Sequence, residues 1–549
     1  MSITASVSEE PVNQLCAKTN HNASFKEKFC HHLGVLIFAP LLSKVAEKGL
    51  QFINQWLVSV LLGCQNIEQG KELNYASLEM LIGKSYKTLR LQRHTLKEVS
   101  SEENTLRVMQ LNAELVGVKR HKDFYYDPHS KHYTGHLKTL ATWCPSVRLA
   151  DKGLNMDYIH TTTGHPVYFS TDDNFYDLRE RFFSNIDQFR SSFNFDQQAV
   201  LTWIIDRGIY SIDVFQKIVD CPDAHIITWE KGYEEGKWNE KAPTTNGSIV
   251  KKRNNKDDKK LFHYACQELE WEKQPSMRQI ILRIFDKDMK KKIEVSIITD
   301  DKERPIREVV ELMLSRWVQE NDFKYLIKHF GLNQLTSYAF TDYLALKDKI
   351  EDKIYTCQAH KALTKDIRKV RNKLKTALLR KHAITEKLKG SKRKDLPAKE
   401  KERRDSIMKE VEKLNAKLEE LKKERSCTIK NVSKVEEMIA QDYKKLDTNA
   451  KDFMDAIKIV ARNMFYLSFQ PFKEAYNNYR DDHVLFRHLT KSSGKIIQSP
   501  NNYKVQLIPQ MEYQPKVKKI ITSILDQINE LRPELPDGTK RKIELSLDV

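Results

Sequence analysis

Residues 199–208 read AVLTWIIDRG. Positions 199–205 form a run rich in apolar and β-branched residues with the length of one strand, and Asp206 closes it ahead of Arg207 and Gly208. Segments of the same texture stand on both sides, at 124–126, 166–169 and 225–229. Helical stretches at 175–189 and 212–219 alternate with them. Strands and helices interleaved in this way predict an α/β layer around a buried mixed sheet.

Outward from that layer the texture changes several times. Residues 1–25 are polar and carry no periodic apolar face, as expected of a flexible arm. Residues 26–118 read as a helical N-terminal subdomain: Leu50, Ile53, Leu57, Val60 and Leu61 recur at helical spacing, and Leu78, Leu81 and Ile82 follow Ser77 as a candidate cap. The α/β unit spans 119–342 and contains an insertion at about 231–300. Within it, 231–276 reads as a polar loop with the basic run Lys251, Lys252, Arg253, Lys256, Lys259, Lys260. A hairpin of 280–285 and 293–298 follows, turning at Asp286, Lys287 and Asp288. One helix is expected from Pro305 through Arg316, Glu320 and Lys324.

Residues 343–447 carry a heptad seam. Ile407, Val411, Leu414, Leu418 and Leu421 alternate steps of four and three, and the series resumes at Val432, Val435 and Ile439. Leu363, Ile367, Val370 and Leu374 form a matching upstream stripe, and Gly390, Ser391 and Pro397 break the helix between the two. An antiparallel helical hairpin with arms of roughly 60 to 70 Å is the economical reading, closed within one chain or paired with a second protomer. Residues 448–549 form a C-terminal α/β unit, with helices at 453–472 and 515–531 and a strand at 503–508.

Composition narrows the partners. The 549 residues hold 93 Lys plus Arg against 75 Asp plus Glu, a formal +18, which favours phosphate-rich partners with nucleic acid ahead of anionic membrane. Residues 361–430 hold 25 Lys plus Arg against 11 Asp plus Glu, so +14 of that excess lies on the hairpin. The 51 aromatic residues exclude a wholly disordered chain. Eight scattered cysteines without a CxxC pair fit neither a disulfide framework nor a cysteine zinc site, and predict a cytoplasmic setting. The longest apolar run, 35–42, contains Pro40 and is too short to cross a membrane. No GxxxxGK[ST], GxGxxG or GxSxG is present, which removes those routes to nucleotide and acyl chemistry.

Three acids are the candidates for chemistry. Asp127 is expected to end the first strand, in FYYDPHSKHYTGH, and Asp206 ends the run at 199–205. Carboxylates at the carboxyl ends of strands in an open α/β sheet face the crevice where such folds bind ligands. Glu320 lies on the later helix, with Arg316 and Lys324 four residues away on its own face. Phosphodiester attack is assisted by two divalent cations roughly 3.5 to 4 Å apart. About three carboxylates are the ligands Mg²⁺ prefers from a protein. Taken singly, each residue also fits a turn cap or a helix ion pair. His129, His132 and His136 lack the helical spacing of a zinc protease and read as DNA-facing or structural.

These strings resemble a known family. DRGIYS after an apolar strand and RWVQENDFKYLIKHFGLNQLTSY on a helix are similar to the second and third acidic motifs of bacterial insertion-sequence transposases of the DDE type. YYDPHSKHYTGH and KGLNMDYIHTTTGHPVYF are similar to that family's first-acid strand and the strands after it. The resemblance covers about 26–340 and implies a ribonuclease-H-like core with a β-containing insertion. It implies metal-dependent cleavage at transposon ends by Mg²⁺ or Mn²⁺, transfer of the 3′-hydroxyl into target DNA, and a homodimer or larger assembly. Asp127, Asp206 and Glu320 become the metal ligands, with Arg316, Lys324, Lys328, Arg207 and His132 as DNA contacts. The related Tyr-x2-Arg-x3-Glu-x6-Lys signature is half kept, with Met313 and Ile327 at its outer positions. A DNA-binding architectural protein that uses the basic hairpin without catalysis is the alternative of a different class.

Overall fold

Leu201–Ile205 forms strand β6, and all five of its residues are buried. It lies between Asp123–His132 (β2) and Ala224–Trp229 (β7) and runs parallel to both. Helix α6 (Leu178–Ser192) leads into β6, and α7 (Ile212–Val219) carries the chain from β6 to β7, burying Val214, Phe215 and Ile218. A central parallel strand covered on both faces is an unbroken apolar run for this reason. The computed structural model describes residues 27–83, 86–144, 149–172, 177–285, 291–334, 339–342, 354–389, 398–428, 430–433, 443–499 and 502–548.

Antiparallel strands extend this trio into a ten-stranded sheet. On one side β2 pairs with β4 (Leu149–Thr161), which also pairs with β3 (Ala141–Cys144) and β5 (Pro166–Asp172). On the other, β7 is followed by β11 (Lys291–Thr299), β10 (Arg278–Phe285), β9 (Lys259–Glu270) and β8 (Thr245–Lys252). The stretch 231–276, expected as a loop, therefore supplies two long strands. None of the eight residues of β8 is fully buried. An edge strand of this kind keeps a loop's polar composition. The turn expected at Asp286, Lys287 and Asp288 lies outside the described residues.

The two ends of the chain share one core. Glu27–Cys30 (β1), a strand within the region expected to be helical, pairs with β16 (Ser493–Gln498). β17 (Asn502–Ile508) and β18 (Lys542–Leu547) complete this four-stranded sheet, with α14 (Pro515–Glu530) between them in sequence. Five N-terminal helices follow β1: α1 (Ala39–Glu47), α2 (Asn54–Leu61), α3 (Tyr75–Ile82), α4 (Leu89–Val99) and α5 (Glu102–Val116). Asn74, not Ser77, caps α3, and its side chain accepts the Ser77 backbone N–H at 2.9 Å. Gly34 lies so close to the end of α13 (Asp482–Thr490) that a Cβ there would stand 2.0 Å from the Leu489 carbonyl oxygen.

Helix α12 (Asn449–Tyr476) runs through this core. Phe453 meets Trp56 edge-on at 6.0 Å between ring centres, and Phe465 lies 6.2 Å from Phe38. The helix is buried on nearly every side over residues 450–465, which explains its lack of a clean polar stripe.

Two helical expectations change. The helix after Pro305 is two helices, α8 (Ile306–Ser315) and α9 (Trp317–Phe330), joined at Arg316, whose N–H reaches back three residues to Met313. The hairpin arms are α10 (Gln358–Lys389, 32 residues) and α11 (Ala398–Cys427, 30 residues). At 1.5 Å per residue they reach only about 48 and 45 Å. Ile367 and Val370 pack with Leu418, and Ala377 with Ile407 and Val411, so the seam closes within the chain. The seam does not resume at Val432, which belongs to a short strand β14 (Asn431–Ser433) paired with β13 (Ile354–Thr356). A second short pair, β12 (Phe340–Asp342) with β15 (Lys444–Leu446), lies nearer the sheet. Val435, Ile439, Gly390, Ser391, Pro397 and the arm at 1–25 lie outside the described residues.

Candidate active site

Tyr126 and Ile205 are the last partners in the parallel ladder between β2 and β6, so Asp127 and Asp206 follow at equivalent positions on its carboxyl edge. β6 ends there, and the Asp206 carboxylate accepts the Arg207 N–H at 2.8 Å as the cap of a short 3-10 turn, Arg207–Ile209. β2 does not end. Asp127 sits in mid-strand opposite Tyr158, because β4 continues to pair with β2 as far as His132. The expected strand end at 127 is the end of the parallel pairing only.

Glu320 enters from the first turn of α9. All three carboxylates meet on the Arg316 guanidinium, Asp127 at 3.7 Å, Asp206 at 3.5 Å and Glu320 at 2.9 Å. Asp206 and Glu320 approach the same nitrogen, so the sum of their distances holds these two oxygens within 6.4 Å of each other. The Arg316 side chain is 12% exposed, Asp127 23%, Asp206 47% and Glu320 53%, so the cluster opens toward solvent on its Glu320 side. Burial pushes the Asp127 carboxyl up to about 7. Arg316 pulls it down, and the neighbouring acids Asp206, Glu320 and Asp157 add to the rise. Among the described residues no three His, Cys, Asp or Glu side chains are grouped as a ready metal cage. The acids instead surround a guanidinium.

The residues flanking Glu320 fix its helix. Gln319 donates to the Tyr125 carbonyl at 3.4 Å and lies 3.0 Å from His160 Nδ1. His160 Nε2 is 3.2 Å from Asp322, and the Arg462 guanidinium of α12 donates to the other Asp322 oxygen at 2.7 Å. Arg462 also donates to the Gly164 carbonyl at 3.0 Å. All four side chains are buried, and the network ties α9 to β2, β4 and α12. A second buried network backs β2. Arg181 grips both Asp157 oxygens at 3.0 and 3.1 Å, Tyr126 donates to Asp157 at 2.7 Å, and Asn185 donates to Tyr126, Asp157 and Asp172.

The remaining candidates are distributed unevenly. Arg207 follows Asp206 directly and is exposed, and Lys324 and Lys328 are exposed one and two turns beyond Glu320. His132 does not join them. It lies five residues beyond Asp127, hence on the opposite face of β2, and pairs with Asp151 at 3.2 Å. His129 shares the Asp127 face, stacks on Phe323 at 5.3 Å between ring centres and meets Asn333 at 3.3 Å, which makes it a packing residue. Gln319, Asp322, His160, Asp157, Arg181 and Arg462 went unread in sequence. The first two were discoverable as the polar neighbours of Glu320 in QEND, whereas Arg462 lies 140 residues beyond its partner.

Fold and site together define a mixed α/β protein with a carboxylate–guanidinium cluster at the carboxyl edge of a parallel strand pair. Residues 12–545 match the family described as transposase protein, and the chain belongs to that family. It is also similar, at 9% identity and a TM-score of 0.28, to a piggyBac transposase solved in a synaptic complex with hairpin DNA, over 54% of this chain and 68% of that one. No curated protein matches the chain. Among the described residues no helix is long and apolar enough to cross a membrane.

Proposed function

We propose that this transposase-family chain is a DNA transposase of the DDE type, in which Asp127, Asp206 and Glu320 hold divalent metal, Mg²⁺ or Mn²⁺, for cleavage at transposon ends and transfer of the 3′-hydroxyl into target DNA. The convergence of all three acids on Arg316 carries this reading. The strand order β5-β4-β2-β6-β7, in which β5, β2, β6 and β7 run one way and β4 alone runs against them, supports a ribonuclease-H-like core over 119–342, and β8 to β11 occupy its insertion.

The residues fit a hard divalent cation by donor chemistry: three carboxylates face one guanidinium, a formal excess of two negative charges. When bound, the metal supplies activation of the attacking oxygen and stabilisation of the leaving one. The chain's own residues perform the rest. Gln319 and Asp322 hold α9 so that Glu320 faces the two aspartates. Arg316 offsets part of the acids' charge, and the exposed Arg207, Lys324 and Lys328 are the bases available to a phosphate backbone. The test is cleavage of the element's own ends by purified Asp206→Asn with Mg²⁺, where activity equal to the parent would sink this assignment.

A further inference from the structure

The two arms of the hairpin differ in charge far more than in length. Helix α10 carries eleven Lys plus Arg against Asp366 and Glu386, a net +9. Helix α11 carries ten against eight, a net +2, with its bases and acids interleaved and pairs such as Lys422 with Glu419 at 2.6 Å. Apolar packing does not account for the excess on α10, because the seam uses Ile367, Val370, Leu374, Ala377 and Ile384 of that arm, none of them basic.

Part of the excess shares one direction around the helix, while Lys369, Lys373 and Arg380 are exposed beside it. Lys365, Arg368, Arg371 and Lys375 are all exposed. At 3.6 residues per turn they fall within an arc of about 120°, turned about 140° from the seam, over a length of about 15 Å. Two acids along the whole arm leave this face strongly positive, while the partner arm balances its own charge. A solvated helix face needs charge of either sign and gains from alternating it. A face of one sign fits a partner that is a dense line of the other.

We infer that the outer face of α10 is a duplex-DNA backbone grip, separate from the acidic site and indifferent to sequence. It deepens the transposase reading, on which it rests for DNA as the ligand. Phosphates spaced evenly along a strand match a row of exposed cations, and each one neutralised releases counterions, so the grip has a salt signature.

The experiment measures binding of the full chain to a duplex of unrelated sequence by fluorescence anisotropy across a salt series. Lys365→Gln, Arg368→Gln, Arg371→Gln and Lys375→Gln combined should lower the slope of log affinity against log salt by up to about 3.6, at about 0.9 per lost phosphate contact. The matched α11 variant, Lys409→Gln, Lys413→Gln, Lys417→Gln and Lys423→Gln, should change it by less than about 1. An unchanged slope for the α10 variant overturns the grip, as does an equal fall for both variants or tighter binding to anionic lipid vesicles than to the duplex. Should circular dichroism show helix loss in the fourfold variant, Lys365→Gln with Lys375→Gln is read instead, with an expected fall of about 1.8. The slope is read without divalent metal and without cleavage, so failure of the grip is separate from failure of the catalytic assignment, which the cleavage assay of Asp206→Asn decides alone.

Discussion

Arg316 and Arg181 each gather acids around one guanidinium, on opposite faces of β2, and they do so in opposite ways. Arg181 grips both oxygens of Asp157, a residue 2% exposed, while Tyr126 and Asn185 occupy what remains of that carboxylate. Asp172 touches the cluster more loosely, at 3.8 Å. Arg316 meets three carboxylates through single contacts, two of them 3.5 Å or longer, and Asp206 and Glu320 are about half exposed. In the first cluster both oxygens of the buried carboxylate are taken up, as a buried pair requires. The second has oxygens to offer and more negative charge than its arginine can balance. The difference separates an element that holds the sheet from one that can hold a ligand.

The comparison can be broken most severely at Arg181. Arg181→Ala strands Asp157 in the core and is expected to cost about 3–5 kcal/mol in urea unfolding. A loss below about 1 kcal/mol would erase the distinction between the clusters. At the open site Asp206→Asn should reduce end cleavage at least about 100-fold, the order lost with one charge-stabilising group. Its stability should change by less than about 0.5 kcal/mol, because the side chain is 47% exposed. Arg316→Ala should raise Mn²⁺ affinity by titration calorimetry roughly 30-fold, equivalent to about 2 kcal/mol for a single and a double positive charge about 4 Å apart in watery surroundings. Unchanged or weaker affinity would show that Arg316 does not compete with the cation.

Acid sensitivity lies outside both clusters, and it belongs to half-buried histidines. Burial holds His32, His165 and His329 down at about 4 and His483 at about 3, from an ordinary 6.5. Between pH 6.5 and 4 the unfolded chain binds protons that these folded histidines refuse, so their share of stability rises with pH across that window and outweighs the opposite share of the two raised carboxyls, Asp127 at about 7 and Asp452 at about 6. A urea midpoint flat from pH 6.5 to 4 would contradict their neutral burial.

Much of this was legible in the residues. β6 was readable because a strand buried on both faces cannot hide its composition, and Glu320 with Arg316 was readable because a four-residue spacing shares a helix face. The strand end expected at Asp127 is absent, and what sets Asp127 beside Asp206 is the register of β2 against β6. β8 stayed hidden because a strand with no fully buried residue has a loop's composition. The Arg181 cluster stayed hidden because Asp157 and Arg181 are joined only by the fold, and nothing in either local string distinguishes a structural carboxylate from a reactive one.

Arg462 sets an order in time as well as a place in space. A ribosome produces Asp127, Asp206 and Glu320 long before it reaches α12, and until then Asp322 lacks its guanidinium and β1 lacks the strand it pairs with. A nascent chain therefore holds every acid of the cluster without the helix that anchors the last of them. Assembly of the cluster is deferred to the final stretch of synthesis, and a chain abandoned midway carries the three acids without the helix that sets the last of them.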